Sequence, residues 1–122
     1  VVPKFIDLMR NGERPKIFGD GEQSRDFVSI EDVVQANLKA AKSDAIGVYN
    51  IASGTRTTIN ELVDSINAIL GTDIQPVYDE PRPGDIRHSG ADISNAETDL
   101  GYKPAVKFQD GLERTVDWYT IE

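Results

Sequence analysis

The stretch "TTINELVDSINAILG", residues 57 to 71, leaves the least freedom in how this chain folds. Thr58 and Glu61 stand three apart, the spacing at which a hydroxyl and a carboxylate cap each other's backbone amides at a helix start. Behind them Ile59, Leu62, Val63, Ile66, Ile69 and Leu70 recur at helical spacing, and Gly71 suits a left-handed stop. A stripe that broad must be buried against other elements. Two further segments offer matching faces. "VVPKFIDLMRNG" puts Val2, Phe5, Ile6 and Met9 on one side before Gly12, and "FQDGLERTVDWYTIE" does the same with Phe108, Leu112, Val116 and Tyr119.

Between the helices lie short β-rich runs. "RPKIFGDG" reads as a strand closed by Gly19 and Gly21, and "IQPVYDE" as an edge strand, because Pro76 has no N–H to give to a ladder. Residues 25 to 53 read as strand, helix, strand, with Ser29 and Asp32 as the helix start signal and Ile30, Val33, Val34, Leu38 and Ala41 as its apolar face. That order predicts a βαβ unit with a parallel strand pair and a right-handed crossover. Ser94 with Glu97 opens a shorter helix that "GYKP" ends. The class is mixed α/β. With 122 residues, 39% of them hydrophobic, one domain spanning 1–122 is expected.

Charge and cysteine content narrow the function classes. A formal net charge of -8 argues against nucleic acid, whose binding needs clustered cations. With no Cys there are no disulfides or thiolate metal sites, which fits a reducing compartment and points to the cytoplasm. No apolar run approaches a membrane span, and the N-terminus lacks a signal peptide's apolar core, so no membrane is expected.

Three stretches carry candidate chemistry. In "KIFGDGEQSRDFVSIEDV", Arg25 leaves a glycine-containing loop and can form bidentate bonds to phosphate, or simply pair with Asp26 or Asp32. In "EPRPGDIRHSG", Arg82 and Arg87 sit in a loop stiffened by Pro81 and Pro83, beside Asp79, Glu80 and Asp85, which offer to neutralise them. His88 is the only histidine, so with no Cys a metal role is remote and a structural one expected. In "NIASGTRTTINEL", a Ser/Thr/Gly turn at a helix start offers free amides to an anion, with an ordinary cap as the simpler account.

Together "GDGEQSRDFVSIEDVVQA", "YNIASGTRTTINEL", "RPGDIRHSGADISNAETDLGYKP" and "GLERTVDWY" resemble, in order and over essentially the whole chain, the C-terminal part of nucleotide-sugar epimerases and dehydratases of the extended short-chain dehydrogenase/reductase family. "RPGDIRHS" followed by "ADIS" is most similar to the UDP-sugar 4-epimerases of the UDP-glucose/galactose type. The resemblance implies a C-terminal substrate-binding subdomain, plus βαβ elements that complete a Rossmann-type parallel sheet supplied by a missing N-terminal part. It also implies site residues. Arg25 would contact the pyrophosphate or ribose of a UDP-sugar, Arg82 the pyrophosphate, and Asp85 a ribose hydroxyl. Lys16, Ile17 and Phe18 would cradle the uracil through backbone groups, with Phe18 as an apolar wall, and Arg87 and His88 would shape the pocket.

The chain departs from the family pattern in ways that limit it. It has no glycine-rich dinucleotide fingerprint and no Tyr-x-x-x-Lys, since Ser53, Arg82 and Val106 stand four residues after Tyr49, Tyr78 and Tyr102. In the family that tyrosine is the acid/base that removes the sugar's 4-OH proton while NAD takes the hydride. The family's sugar-contacting asparagine would lie just before Val1, and Gly90 stands where relatives often carry a larger residue. The expectation is therefore a chain that is inactive alone, with NAD bound by the missing N-terminal half. Without that half the chain should expose apolar surface and self-associate as a homo-oligomer or swap elements.

Overall fold

The structure, a computed structural model, describes residues 1–120. Its elements in chain order are α1 (Val2–Arg10), β1 (Lys16–Phe18), β2 (Ser24–Arg25), α2 (Ile30–Ala41), β3 (Thr57–Thr58), α3 (Ile59–Leu70), β4 (Val77–Asp79), α4 (Ser94–Leu100) and α5 (Phe108–Thr120). The class is mixed α/β, with a small parallel sheet in which β1 pairs with β4 in the register Lys16–Val77, Ile17–Tyr78, Phe18–Asp79. A second, antiparallel pair joins β2 to β3.

The main core forms where the three apolar stripes meet. Phe5, Ile6 and Met9 of α1, Leu62, Val63 and Ile66 of α3, and Leu112 and Val116 of α5 are all buried, and Ile17 closes the cluster from β1. Burying each large side chain contributes about 1.5–3 kcal/mol, so this three-helix contact dominates stability. α3 begins as its sequence dictates: Thr58 Oγ1 accepts from the Glu61 amide at 3.1 Å, and Glu61 Oε1 accepts from the Thr58 amide at 3.3 Å. It ends at Gly71 in the left-handed region, φ 69°, where a side chain would be strained. A smaller cluster of Ala36, Ala52, Ile93, Ala96 and Tyr102 lies between α2 and α4, and the buried Tyr102 hydroxyl donates to the Ala52 carbonyl at 2.8 Å.

Residues 25–53 differ from expectation. The parallel strand pair within them does not form: β2 pairs antiparallel with Thr57–Thr58, and residues 48–51 belong to no strand. Val48 and Ile46 are each 97% exposed, so nothing among the described residues offers the second strand a partner. α2 does form, but turned. Its inward residues are Ala36 and Asp32, whereas Ile30, Val34 and Leu38, one stripe at i, i+4 and i+8, are 73%, 49% and 57% exposed.

Asp32 explains the rotation. Its carboxylate is 1% exposed and accepts from the backbone amides of Ala105 at 2.9 Å and Val106 at 3.2 Å, tying α2 to the segment that leads into α5. It forms no capping box. Ser29 caps α2 alone, accepting from the Glu31 amide at 3.3 Å. At α4 the cap position falls one residue earlier than expected, on Ile93, which has no polar side chain to cap with; Ser94 is already helical, and its amide donates to Asp92 Oδ1 at 2.9 Å. Among the described residues, no helix is long and apolar enough to cross a membrane.

Candidate functional site

Two grooves open on the surface. One, of about 590 Å³, is apolar and lies between α1, α5 and the start of α2, where Phe27, Leu112 and Trp118 line it. The other, of about 810 Å³, collects the charged residues singled out from sequence. Its floor is the C-terminal end of the parallel β1–β4 pair, the end where ligands collect in open α/β sheets, and its wall is the loop from Glu80 to Arg87. The site residues therefore come from segments more than sixty positions apart, brought together because β1 and β4 pair in parallel.

Phe18, Arg82 and Asp85 all line this groove. The Arg82 guanidinium lies 3.9 Å above the centre of the Phe18 ring. A cation over an aromatic face is worth about 0.5–1 kcal/mol at an exposed site. No carboxylate pairs with Arg82 among the described residues, so its charge is held in place by an apolar ring rather than neutralised.

Arg25 and Arg87 are differently placed. Arg25 does not line the groove but donates from Nη2 to Asp85 Oδ1, which does, at 2.9 Å, bridging β2 to the 80–87 loop. The nearby partners that sequence offered it are engaged elsewhere. Asp26 accepts from the Ser53 and Gly54 amides, both at 2.9 Å, and Asp32 is the buried acceptor described above. Asp26 thereby occupies the Ser/Thr/Gly turn that offered free amides to an anion, and at the start of α3 the Ile59 and Asn60 amides donate to the Gln23 and Gly21 carbonyls while Thr58 Oγ1 takes the Glu61 amide. Arg87 makes a two-pronged ion pair to Asp20 at 2.7 and 3.1 Å, not to Asp79, Glu80 or Asp85. Those bonds, with a further one from the Glu22 amide, hold the Asp20 carboxyl down at about 2 and push Arg87 above its ordinary value.

The remaining candidates are scattered around the groove. Lys16 does not line it, although its Nζ lies 3.6 Å from Asp79 Oδ2, which does, and Ile17 is buried in the core. The Phe18 carbonyl already accepts from Gln23 Nε2 at 2.9 Å. His88 is structural: its Nδ1 lies 2.7 Å from Ser24 Oγ, and backbone bonds on either side (Ser24 amide to Arg87 carbonyl, 2.8 Å; Ser89 amide to Ser24 carbonyl, 2.9 Å) stitch the loop to β2. Gly90 gives up its side-chain space to Arg56, whose Nε lies 2.7 Å from where a Cβ would stand. Among the described residues, no three potential metal ligands cluster.

Sequence reasoning missed Asp20, Tyr78 and Asn60. Asp20 was legible only as part of a turn, and Tyr78 and Asn60 carry no local signal, because what distinguishes them is a contact across the fold. The Gly19–Gly21 turn follows a parallel strand but leads into β2, not into a helix whose N-terminus could face a pyrophosphate.

Comparison with known proteins places this geometry in context. Residues 1–115 match the family described as GDP-mannose 4,6 dehydratase. Among solved structures, the chain is 48% identical to a UDP-N-acetylglucosamine 4-epimerase from Methanobrevibacter ruminantium in complex with UDP-N-acetylmuramic acid (TM-score 0.92), covering 98% of this chain and 38% of that one. It is 43% identical to the UDP-glucose 4-epimerase of Thermotoga maritima with UDP-glucose (TM-score 0.91; 97% and 38%). It is 32% identical to a UDP-glucuronic acid 4-epimerase from Bacillus cereus in complex with UDP-glucuronic acid and NAD (TM-score 0.90; 96% and 38%). The chain likewise spans 38% of the length of the curated relatives it matches.

Proposed function

The chain belongs to the GDP-mannose 4,6 dehydratase family, and we propose that it is the C-terminal, nucleotide-sugar-binding part of a UDP-sugar 4-epimerase. The observation that carries this reading is Arg82, a cation without a carboxylate partner among the described residues, stacked on Phe18 in a groove at the C-terminal end of parallel strands. Such a pair suits a ligand that joins a flat base to a pyrophosphate. The base lies against Phe18 and β1, and the guanidinium turns to the phosphate oxygens, where planar two-pronged bonding is favoured. Asp85 accepts from a ribose hydroxyl, and Arg25, released from Asp85, shares the pyrophosphate. The acidic remainder of the chain repels nucleic acid, so the site selects small anions.

NAD, which the Bacillus cereus relative holds, belongs in this reading to the rest of the protein, as does the catalytic tyrosine; this chain binds substrate and is inactive alone. The preference for a UDP-sugar 4-epimerase over a dehydratase rests on the 43% and 48% identities to 4-epimerases.

The test is an amide NMR titration of the chain with UDP at low salt, with NAD as control. Shifts are expected at Phe18, Arg25 and residues 82–85, absent with NAD. Arg82→Ala should weaken UDP binding by roughly 10- to 100-fold, the equivalent of one charge-assisted bond of about 1.5–3 kcal/mol. A dispersed spectrum that does not respond to UDP, or an Arg82→Ala chain of unchanged affinity, overturns the proposal.

A further inference from the structure

The segment linking β1 to β2, residues 19–23, carries Asp20, the anchor of Arg87, yet Asp20 itself is exposed and belongs to a turn with no regular structure. What holds that turn is Asn60, the second residue of α3. Its Nδ2 donates to the Asp20 carbonyl at 3.0 Å and to Glu22 Oε1 at 2.7 Å, its Oδ1 accepts from the Tyr78 hydroxyl at 2.7 Å, and its backbone amide donates to the Gly21 carbonyl at 3.0 Å. One side chain thus joins the turn, α3 and β4.

The fit is close. A Cβ on Gly21 would stand 2.1 Å from Asn60 Oδ1, and Gly21 also has φ 78°, so both its conformation and the space beside it require glycine. The turn, once fixed, presents Asp20 to Arg87, and Arg87 lies in the same loop as Arg82 and Asp85.

We propose that Asn60 is a positioning residue for the substrate loop: through the Asp20 turn it sets where Arg87, and with it the 82–88 segment, stands over the groove. The term "substrate" rests on the function proposed above; the positioning itself does not. Asn60 does not itself line the groove, but Asp20 and Tyr78, to which it is bonded, do, so its effect on binding is transmitted through them and Arg87.

The experiment compares wild-type chain with Asn60→Ala, Asn60→Asp and Tyr78→Phe by NMR. Three quantities are followed: titration of the Asp20 carboxyl carbon, hydrogen exchange at the Ser24 and Ser89 amides, and UDP affinity. In wild type, Asp20 should titrate at about 2. In Asn60→Ala it should move toward its ordinary 3.8, with the two amides exchanging about tenfold faster while the amides of α3 keep their protection. Asn60→Asp should behave like Asn60→Ala, because it keeps the size but loses both donated bonds. Tyr78→Phe removes a single bond and should fall between, which separates positioning from any folding failure of the other two. UDP binding should weaken by about three- to tenfold in Asn60→Ala.

If Asp20 titration and Ser24/Ser89 exchange are unchanged in Asn60→Ala with α3 intact, the inference is overturned whatever UDP does. If they change as expected but wild type itself ignores UDP, the positioning stands and the nucleotide-binding reading falls.

Discussion

Replacing Asp32 by alanine should be the most damaging change of a charged residue in this chain. The carboxylate is 1% exposed and satisfies two backbone amides, those of Ala105 and Val106. Alanine removes both bonds, each to a charged group and so worth about 1.5–3 kcal/mol, less what water restores at the exposed Ala105 and the half-buried Val106. Two of them amount to at most about 3–6 kcal/mol, reduced further because the mutant no longer has to desolvate a carboxylate. A net loss of about 3 kcal/mol is a large share of the 5–15 kcal/mol that holds a typical domain. For a domain of this size it should lower Tm by roughly 10–15 °C. The assay is a thermal and urea melt followed by circular dichroism, with Glu31→Ala as the neighbouring control. Glu31 pairs with Arg114 on the surface, where both are more than half exposed, and its loss should cost under about 1 kcal/mol. If Asp32→Ala and Glu31→Ala cost the same, Asp32 is an ordinary first-turn acid and the account of why α2 is turned is wrong.

Three further outcomes are expected. Asp20 has a folded-state value lowered to about 2, so the clasp it makes with Arg87 should be fully present above its ordinary 3.8 and lost as pH falls through about 2, readable as a pH-dependent shift of the Arg87 and Ser24 amides. Leu38→Lys should change stability by less than about 0.5 kcal/mol, although Leu38 sits in an apolar stripe, and should reduce any self-association seen by sedimentation. Thr58→Ala removes the reciprocal cap of α3 and should cost about 1 kcal/mol in a urea melt.

Much of the architecture was legible because helices announce themselves locally. α1, α3 and α5 each carry a stripe at helical period, and their buried apolar residues are among those that the period selects, whereas the buried Asn67 of α3 is not and Ile69 and Leu70 are only partly covered. α2 shows where this ends. Its stripe is as regular, but which face of a helix is buried depends on what lies beside it, and here Ala36 and Asp32 meet α4 and the segment before α5. Two-residue strands such as β2 and β3 have no period to read, so their antiparallel pairing was out of reach. In the candidate site, arginines and their loops were visible as residue types, whereas their partners were not. Arg25 found Asp85 and Arg87 found Asp20 across 60 and 67 positions, and ion pairing at that distance depends on how the chain is brought together by the β1–β4 register.

The outward face of α2 also bears on how the stability of this chain varies with temperature. Unfolding raises the heat capacity mainly by wetting apolar surface, at about 0.45 cal/mol/K for each Å². Here Ile30, Val34, Leu38, Ile46, Val48 and Trp118 are already substantially wet in the folded chain. The increment should therefore lie below the usual 12–15 cal/mol/K per residue, and the stability curve should be shallower than that of a fully covered domain of equal length. Calorimetry would see it as a broad, weakly curved profile, and covering those residues would steepen it.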